Sequence, residues 1–449
     1  MKKYDSYKDS GVSWIGKIPD HWDLRRMRFV AKLYNGNSLN DTEKSRYADV
    51  PDDDESVPYI ASKDIDRDTE FIDYANGIRI PKTEKDFKVA PAGTSLLCIE
   101  GGSAGKKMGF VEQDVCFVNK LCCFDASINN KFLYYYIKSK SFWEVFSQNI
   151  QGMIGGVTIS RIKDFAVPIP FENEQNALVE YLDDKCSEVD KIIASQEKKK
   201  KCLEELRRNI ITKSVTQGIN NGVYLKNTGV EWIGDIPHHW TLKKMKFLLN
   251  LLTDYDANGS FSDIAKNCKI NNGNPYAWMV RMTDLESKRY GLVEGNNYCD
   301  QATYKYLSKS SLVSGDIIIA KRGSIGKSYL IPKCDCPMTL APNTYLLKTK
   351  SNVVNNRFLF YYLSSSPGII NLEFLNKSTT LGAIYKDDVK AMLIPLPEMK
   401  EQDEIVNYLD SKVSKLEMMI ESVDLTIKKL YKYKQSLITE VVTGERKVC

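Results

Sequence analysis

The chain has no long apolar run. Nothing in its 449 residues approaches the ~18 consecutive apolar residues of a membrane-spanning helix. The opening MKKYDSYKDS carries charge but no apolar stretch, so no secretory signal is expected. Histidine is scarce, at three residues, and the 11 cysteines are scattered. Cys334-x-Cys336 and Cys122-Cys123 lack a second pair at zinc spacing, so no metal site is expected. The thiols read as reduced ones in a cytoplasm. Neither charge dominates: 63 Lys+Arg face 58 Asp+Glu, a net charge of +5, so any nucleic-acid surface must come from local clustering. Catalytic constellations are missing too. There is no N-P-P-[YF] or D-P-P-Y motif, and Asn274-Pro275-Tyr276 is one residue short of it. No G-x-G-x-x-G follows a strand-like run and no G-x-S-x-G is present. The acidic run Asp52 to Glu55 reads as a solvated loop. What remains is a core-forming composition, 43% apolar and 27% charged, long enough for about two or three domains. It suits a non-enzymatic binding module that lends specificity to another protein.

An internal duplication organises the chain. DSGVSWIGKIPDHWDLRRMRF at 9–29 matches NTGVEWIGDIPHHWTLKKMKF at 227–247 with 12 of 21 positions identical, and three more exchange Arg for Lys. All three histidines, His21, His238 and His239, lie in these segments. Downstream, VPIPFENEQNALVEYLDDK at 167–185 matches LIPLPEMKEQDEIVNYLDSK at 393–412. The offset grows from 218 to 227, so the second copy is 9 residues longer between its matched ends. The middles mostly do not match. A common frame holding two different readers is the expectation.

From Glu174 to about Gln217, and from Glu401 to Thr443, there is no Pro or Gly. Leu182, Val189, Gln196, Leu203 and Ile210 recur every seven residues, as do Leu409, Leu416, Val423, Leu430 and Leu437. A sustained heptad marks helices packed along a narrow seam. About 42 residues at 1.5 Å each give a rod of roughly 60 Å. Gly218 and Gly444 stand where helix stops belong. Antiparallel pairing of the two rods within the chain is expected, with an intermolecular coiled coil and two separate surface helices as competing readings. Lys198 to Lys201, Arg207 and Arg208 read as a solvated face.

The middles, about 30–165 and 248–390, read as mixed α/β domains with strand-like runs at Val57–Ile60, Ser95–Ile99, Asp316–Ala320 and Tyr345–Leu347. Asn129-Asn130 and Asn355-Asn356 read as helix caps before aromatic runs that belong to the core. A G-S-x-G-K turn occurs in each middle. Glu100 and Lys321 occupy the position where a phosphate loop needs its first glycine, so no nucleotide site is expected. A glycine turn beside Lys106, Lys107, Lys321, Arg322, Ser324 and Lys327 can still approach a polynucleotide backbone. Other candidate DNA contacts are Ser62 and Lys63, Arg281 and Thr283, and the segments ahead of the long helices, with Thr158 and Arg161 in the first and Thr379, Thr380, Tyr385 and Lys386 in the second. No catalytic or metal residue is assigned.

W-I-G-x-I-P-x-H-W before each middle, P-[IL]-P-x-x-x-x-E-Q ahead of each rod, and the duplicated layout together resemble the specificity subunit of type I restriction-modification systems. The resemblance spans essentially the whole chain. Phe171 and Glu398 replace the second proline that the family often has there. It implies an α+β fold: two target recognition domains separated by two long antiparallel coiled-coil helices, a pseudo-two-fold tandem duplication. The implied layout is 1–170 for the first recognition domain, 171–218 for the first spacer helix, 219–397 for the second domain and 398–449 for the second helix. It further implies asymmetric, bipartite readout of double-stranded DNA, with half-sites about whole turns of ~34–36 Å apart. Two modification subunits would methylate adenine with S-adenosylmethionine, and restriction subunits would use ATP and Mg2+; this chain would bind no cofactor. A coiled-coil scaffold without a DNA role and a self-contained DNA-modifying enzyme are the alternatives.

Overall fold

The computed structural model describes residues 3–152, 155–220, 222–376 and 382–448. No helix among the described residues is long and apolar enough to cross a membrane. The heptad segments form helices Glu172–Gln217 and Met399–Val442, each starting two residues before the glutamate expected to open it. Both end at a left-handed glycine, Gly218 at φ +76° and Gly444 at φ +78°. A Cβ on Gly444 would fall 2.3 Å from Pro19 Cδ, so its place admits no side chain.

The chain divides into two compact units, Met1–Glu197 with Leu425–Cys449, and Lys198–Asp424. The division cuts through both long helices. Each unit therefore contains one head, half of the first helix and the opposite half of the second. Within the first unit Lys434 pairs with Asp190 at 2.7 Å and Arg446 approaches the Tyr181 hydroxyl at 3.5 Å. Within the second, Lys200 pairs with Asp424 at 2.7 Å and Arg207 with Glu417 at 3.5 Å. Seven residues forward on one helix meet seven back on the other, so the pairing is antiparallel. The seam side chains are buried: Leu182, Val189 and Leu437 in the first unit, and Leu203, Leu409, Leu416 and Val423 in the second. Ile210 and Leu430 are half-buried.

Two four-stranded sheets form the core of each head. In the first, the order is Arg79–Pro81, Ser56–Ile60, Val115–Phe117, Val89–Ala90, and then Ala31–Asn35, Leu121–Ala126, Ser95–Cys98, Met108–Phe110. In the second it is Asn297–Cys299, Ala277–Val280, Met338–Leu340, Ser311–Leu312, and Leu249–Asp254, Thr344–Thr349, Ile317–Ala320, Ser328–Leu330. Both first-named sheets carry one parallel pair at their centre. The topology is thus repeated even where the sequences diverge. Asn129 and Asn355 cap the helices that cover these sheets, and Tyr134–Tyr136 and Tyr361–Tyr362 are buried.

The two retained motifs of each copy meet in space. Asp23–Arg26 pairs with Ala166–Ile169, and Thr241–Lys244 with Leu393–Leu396, both antiparallel. The first turn of each long helix is then clamped to its head. The fully buried Trp22 donates its indole N–H to Glu174 Oε2 at 3.0 Å, with His21 Nε2 2.9 Å from the same oxygen. Trp240 and His239 repeat this on Glu401 at 3.0 and 2.9 Å. The neighbouring Gln175 donates to Pro170 O at 2.9 Å and accepts the Asn129 N–H at 3.0 Å. Gln402 donates to Pro397 O at 3.0 Å and Val353 O at 3.2 Å, and accepts the Asn355 N–H at 2.8 Å.

Because Gln402 is fully buried, Gln402→Leu leaves three backbone groups unpartnered. The expected cost is about 1–3 kcal/mol, or roughly 2–4 °C per kcal/mol in the melting of the second unit. Differential scanning calorimetry checks this; an unshifted transition contradicts the clamp.

Candidate nucleic-acid interface

The G-S-x-G-K turn and the segment ahead of the long helix lie far apart in the sequence of each head. In each head they are one structure. In the first, Gly101 N–H donates to Gly155 O at 2.7 Å and Val157 N–H to Ile99 O at 2.9 Å, around a bridge between Glu100 and Gly156. In the second, Gly323 N–H donates to Gly382 O at 2.9 Å and Ile384 N–H to Lys321 O at 3.1 Å, around a bridge between Arg322 and Ala383. Glycine is required at the junction. Gly101 and Gly323 have φ near +85°, and a Cβ on Gly382 would lie 2.8 Å from Ile325 Cγ1.

Beside this junction the first head carries a cavity of about 920 Å3, whose polar lining includes Asn35, Asn119, Asn149, Gln151, Thr158 and Arg161. Arg161 is exposed, and its guanidinium donates to Asn149 Oδ1 at 3.1 Å. Asn149 in turn donates to Val145 O at 2.8 Å, which fixes its amide and steers Arg161. Asn119 also lines an adjoining cavity of about 440 Å3 with Ser62, Lys63 and Lys120. Asn119 makes no side-chain hydrogen bond among the described residues. Lys107 spends its ammonium on Ser62 O at 2.9 Å. Lys106 donates to Gly102 O at 3.2 Å within the turn and lines a third cleft, with Trp143 and Tyr431.

The second head handles its charges differently. Asp254, almost wholly buried, binds Lys321 and Lys386 at 2.8 Å each, and Lys321 also holds Asp256. Both ammonium groups sit over the Tyr345 ring, 5.7 and 5.9 Å from its centroid. Arg281 is committed to the buried Asp284 at 2.7 Å and to Gly295 O at 2.6 Å. Lys327 pairs with Glu286 at 2.6 Å, and the Tyr329 hydroxyl donates to the same carboxylate at 2.8 Å. That partnership holds the Glu286 carboxyl below its ordinary range. Arg322 and Ser324 remain exposed, as do Thr283 and Tyr385. Thr379 and Thr380 lie outside the described residues.

A family model described as the type I restriction modification DNA specificity domain matches residues 19–205 and 257–422, most of the chain. The chain belongs to this family. The EcoKI specificity subunit of Escherichia coli K12 is 23% identical over 454 residues, covering 96% of this chain and 90% of that one. The MjaVIII specificity subunit of Methanocaldococcus jannaschii is 22% identical, covering 96% and 94%. A shorter alignment to that organism's MjaX relative covers 64% of this chain and 61% of that one. A solved chain from work on assembly and conformational transition of the type I R-M system superposes with TM-score 0.66 at 15% identity, covering 95% and 98%. That likeness supports the fold.

As in its family, this specificity chain is built for DNA sequence specificity rather than catalysis, and no metal-binding cluster occurs among its described residues. Of the nominated residues, the fold gathers Ser62, Lys63, Thr158 and Arg161 around Asn119. It places Lys321 and Lys386 on one carboxylate and leaves Lys106 apart. The amides Asn35, Asn119, Asn149 and Gln151, which line the first head's cavity, are not among the residues that the sequence pattern singles out. Asn119 lies two residues past strand Val115–Phe117, and strand ends are where polar side chains reach a shared edge.

Burial raises the Asp254 carboxyl, but its bonds to Lys321 and Lys386 outweigh that and hold it below the usual aspartate value. The stability it contributes is complete above the unfolded value of about 3.9 and is lost as pH falls through the lower folded value. Asp254→Asn should therefore lower the urea midpoint of the second unit at pH 7 and flatten its decline below about pH 4. Parallel urea curves for variant and unsubstituted chain across that range would contradict the network.

Proposed function

We propose that the chain reads an asymmetric, two-part sequence in double-stranded DNA, one part per head, for a type I restriction-modification complex. It supplies recognition alone. Methyl transfer from S-adenosylmethionine to adenine falls to two partner modification subunits, and Mg2+- and ATP-dependent restriction to further partners. The complex works where the chromosome is, in the cytoplasm.

One observation carries this reading: the same backbone junction presents unlike side chains in the two heads. Asn and Gln pair in bidentate fashion with adenine edges, and Arg with guanine. The first head presents Asn119, Gln151 and Arg161 beside its junction. The second presents Arg322 and Ser324, with Lys321 and Lys386 paired to Asp254 and Asp256. Equal frames with unequal edges suit unequal half-sites. The glycines let backbone approach the duplex closely, which positions the heads without reading bases.

The test is single-molecule methylation sequencing in a methylation-free host expressing the chain with modification subunits. The expected outcome is one split motif carrying methylated adenine. Arg161→Ala should relax one base of one half, and Arg322→Ala one base of the other, each weakening cognate binding by about 1–3 kcal/mol. Changes in both halves from one substitution, or methylation by the chain without partners, would overturn the reading.

A further inference from the structure

The duplication preserves an exposed strip that folding does not require. Met27 and Met245 are fully buried at equivalent places, and around each the chain exposes three cations and a phenylalanine. These are Arg25, Arg26, Arg28 and Phe29 in the first copy, and Lys243, Lys244, Lys246 and Phe247 in the second. Phe29 is 67% exposed and Phe247 54%, an unusual fate for an identical aromatic in two otherwise diverging copies. Lys163 and Lys390 are likewise retained at one position, on the short helices Ile159–Ile162 and Lys386–Ala391 or just past them.

Intramolecular ion pairs do not explain the retention. In the first copy Arg25 pairs with Asp23 at 2.9 Å, and Arg26 and Arg28 with Asp164. In the second copy those two acids are Thr241 and Ala391, yet all three cations persist. Among the described residues Lys243 and Lys244 have no ion pair, and Lys246 lies over the Phe247 ring at 4.9 Å. The function common to both copies is directed outside the chain. Every Arg in the first copy is Lys in the second. The positive charge is kept and the planar two-pronged guanidinium is not. A carboxylate gripped by a guanidinium fork would not tolerate that exchange, whereas a phosphate met as a point charge does.

The strip also adjoins the reading surface. In the first head Arg28, Phe29, Lys32 and Lys163 line a groove of about 720 Å3 that contains one carboxylate, Asp125. Strand Ala31–Asn35 runs from that groove to Asn35 on the amide-lined cavity. The short helix Ile159–Ile162 makes the same connection, from Arg161 in the cavity to Lys163 in the groove.

We infer that this strip is a sequence-independent track for the duplex backbone, present once in each head, with the exposed phenylalanine packing on deoxyribose beside the phosphates. The inference rests on the DNA-reading function above and adds the surface that supplies affinity without specificity.

The test uses the full chain in its assembled complex, with a duplex carrying the methylated motif and one lacking it. Lys243→Ala, Lys244→Ala and Lys246→Ala together should weaken binding to both duplexes by a similar factor. They should also reduce the slope of log K against log salt by about 0.9 per lost phosphate contact, close to 2–3 in total. Arg25→Ala, Arg26→Ala and Arg28→Ala should repeat the effect, and the methylated sequence should stay the same in both variants. An unchanged salt slope overturns the track. So does loss of subunit assembly at an unchanged slope, which would make the strip a protein interface. Failure of the underlying reading is visible separately: the unsubstituted complex would then bind the two duplexes alike.

Discussion

The structure depends on a carboxylate and an amide side by side in the first turn of each long helix. Glu174 and Glu401 take the indole N–H of a buried tryptophan, and Gln175 and Gln402 take the backbone N–H of the asparagine that caps a head helix. A helix N-terminus favours negative charge and leaves its own N–H groups to be satisfied. Placing the glutamate there adds the field of the helix to the hydrogen bonds it accepts. The amide then ties rod to head by donor and acceptor at once, so neither direction of slip keeps its bonds. The motifs retained across the duplication, H-W and E-Q, are the two sides of this joint. A head that keeps it can change its loops without changing how it is mounted.

That joint explains why the frame was legible in the sequence and the reading edges were not. The heptads mark rods whose seam residues are buried, because a helix with a 3.5-residue apolar period must hide its stripe against another surface, although the period alone leaves open which one. Asn129 and Asn355 were recognisable as caps because capping is a local geometry. The shared topology of the heads was not legible, since short strands drawn from unlike sequences obey burial rather than any common motif. Lys321 shows the limit most clearly. Beside a glycine turn it reads as a phosphate contact, but Asp254 lies 67 residues away in the chain and joins it only through the pairing of Leu249–Asp254 with Thr344–Thr349 and of that strand with Ile317–Ala320. Local pattern names a cation; only topology says whether a carboxylate is waiting for it.

The two heads also solve one electrostatic problem in two ways. A lysine near a duplex is attracted indiscriminately to phosphate, which raises affinity for every sequence. In the second head Lys321 and Lys386 share the buried Asp254, Lys321 pairs with Asp256 as well, and both are steadied over Tyr345, so two carboxylates balance two ammonium groups. In the first head the cavity is lined by amides, and its one cation, Arg161, is oriented through Asn149. The second head thus holds two ammonium groups on carboxylates, whereas in the first Lys63 and Lys120 stand exposed in the cavity that adjoins Asn119.

On the proposed reading, recognition of a polyanion needs little net charge, and the chain carries only +5. Nonspecific attraction scales with the number of phosphates neutralised, and discrimination scales with unpaired donors and acceptors left at the wrong base. On the proposed reading the first is concentrated in a strip that tolerates Arg or Lys and the second in edges that differ between the heads, so the two can evolve independently. The observed pattern of retention follows. Charge is preserved along the strip and geometry at the glycine junction, while most residues between the retained segments differ.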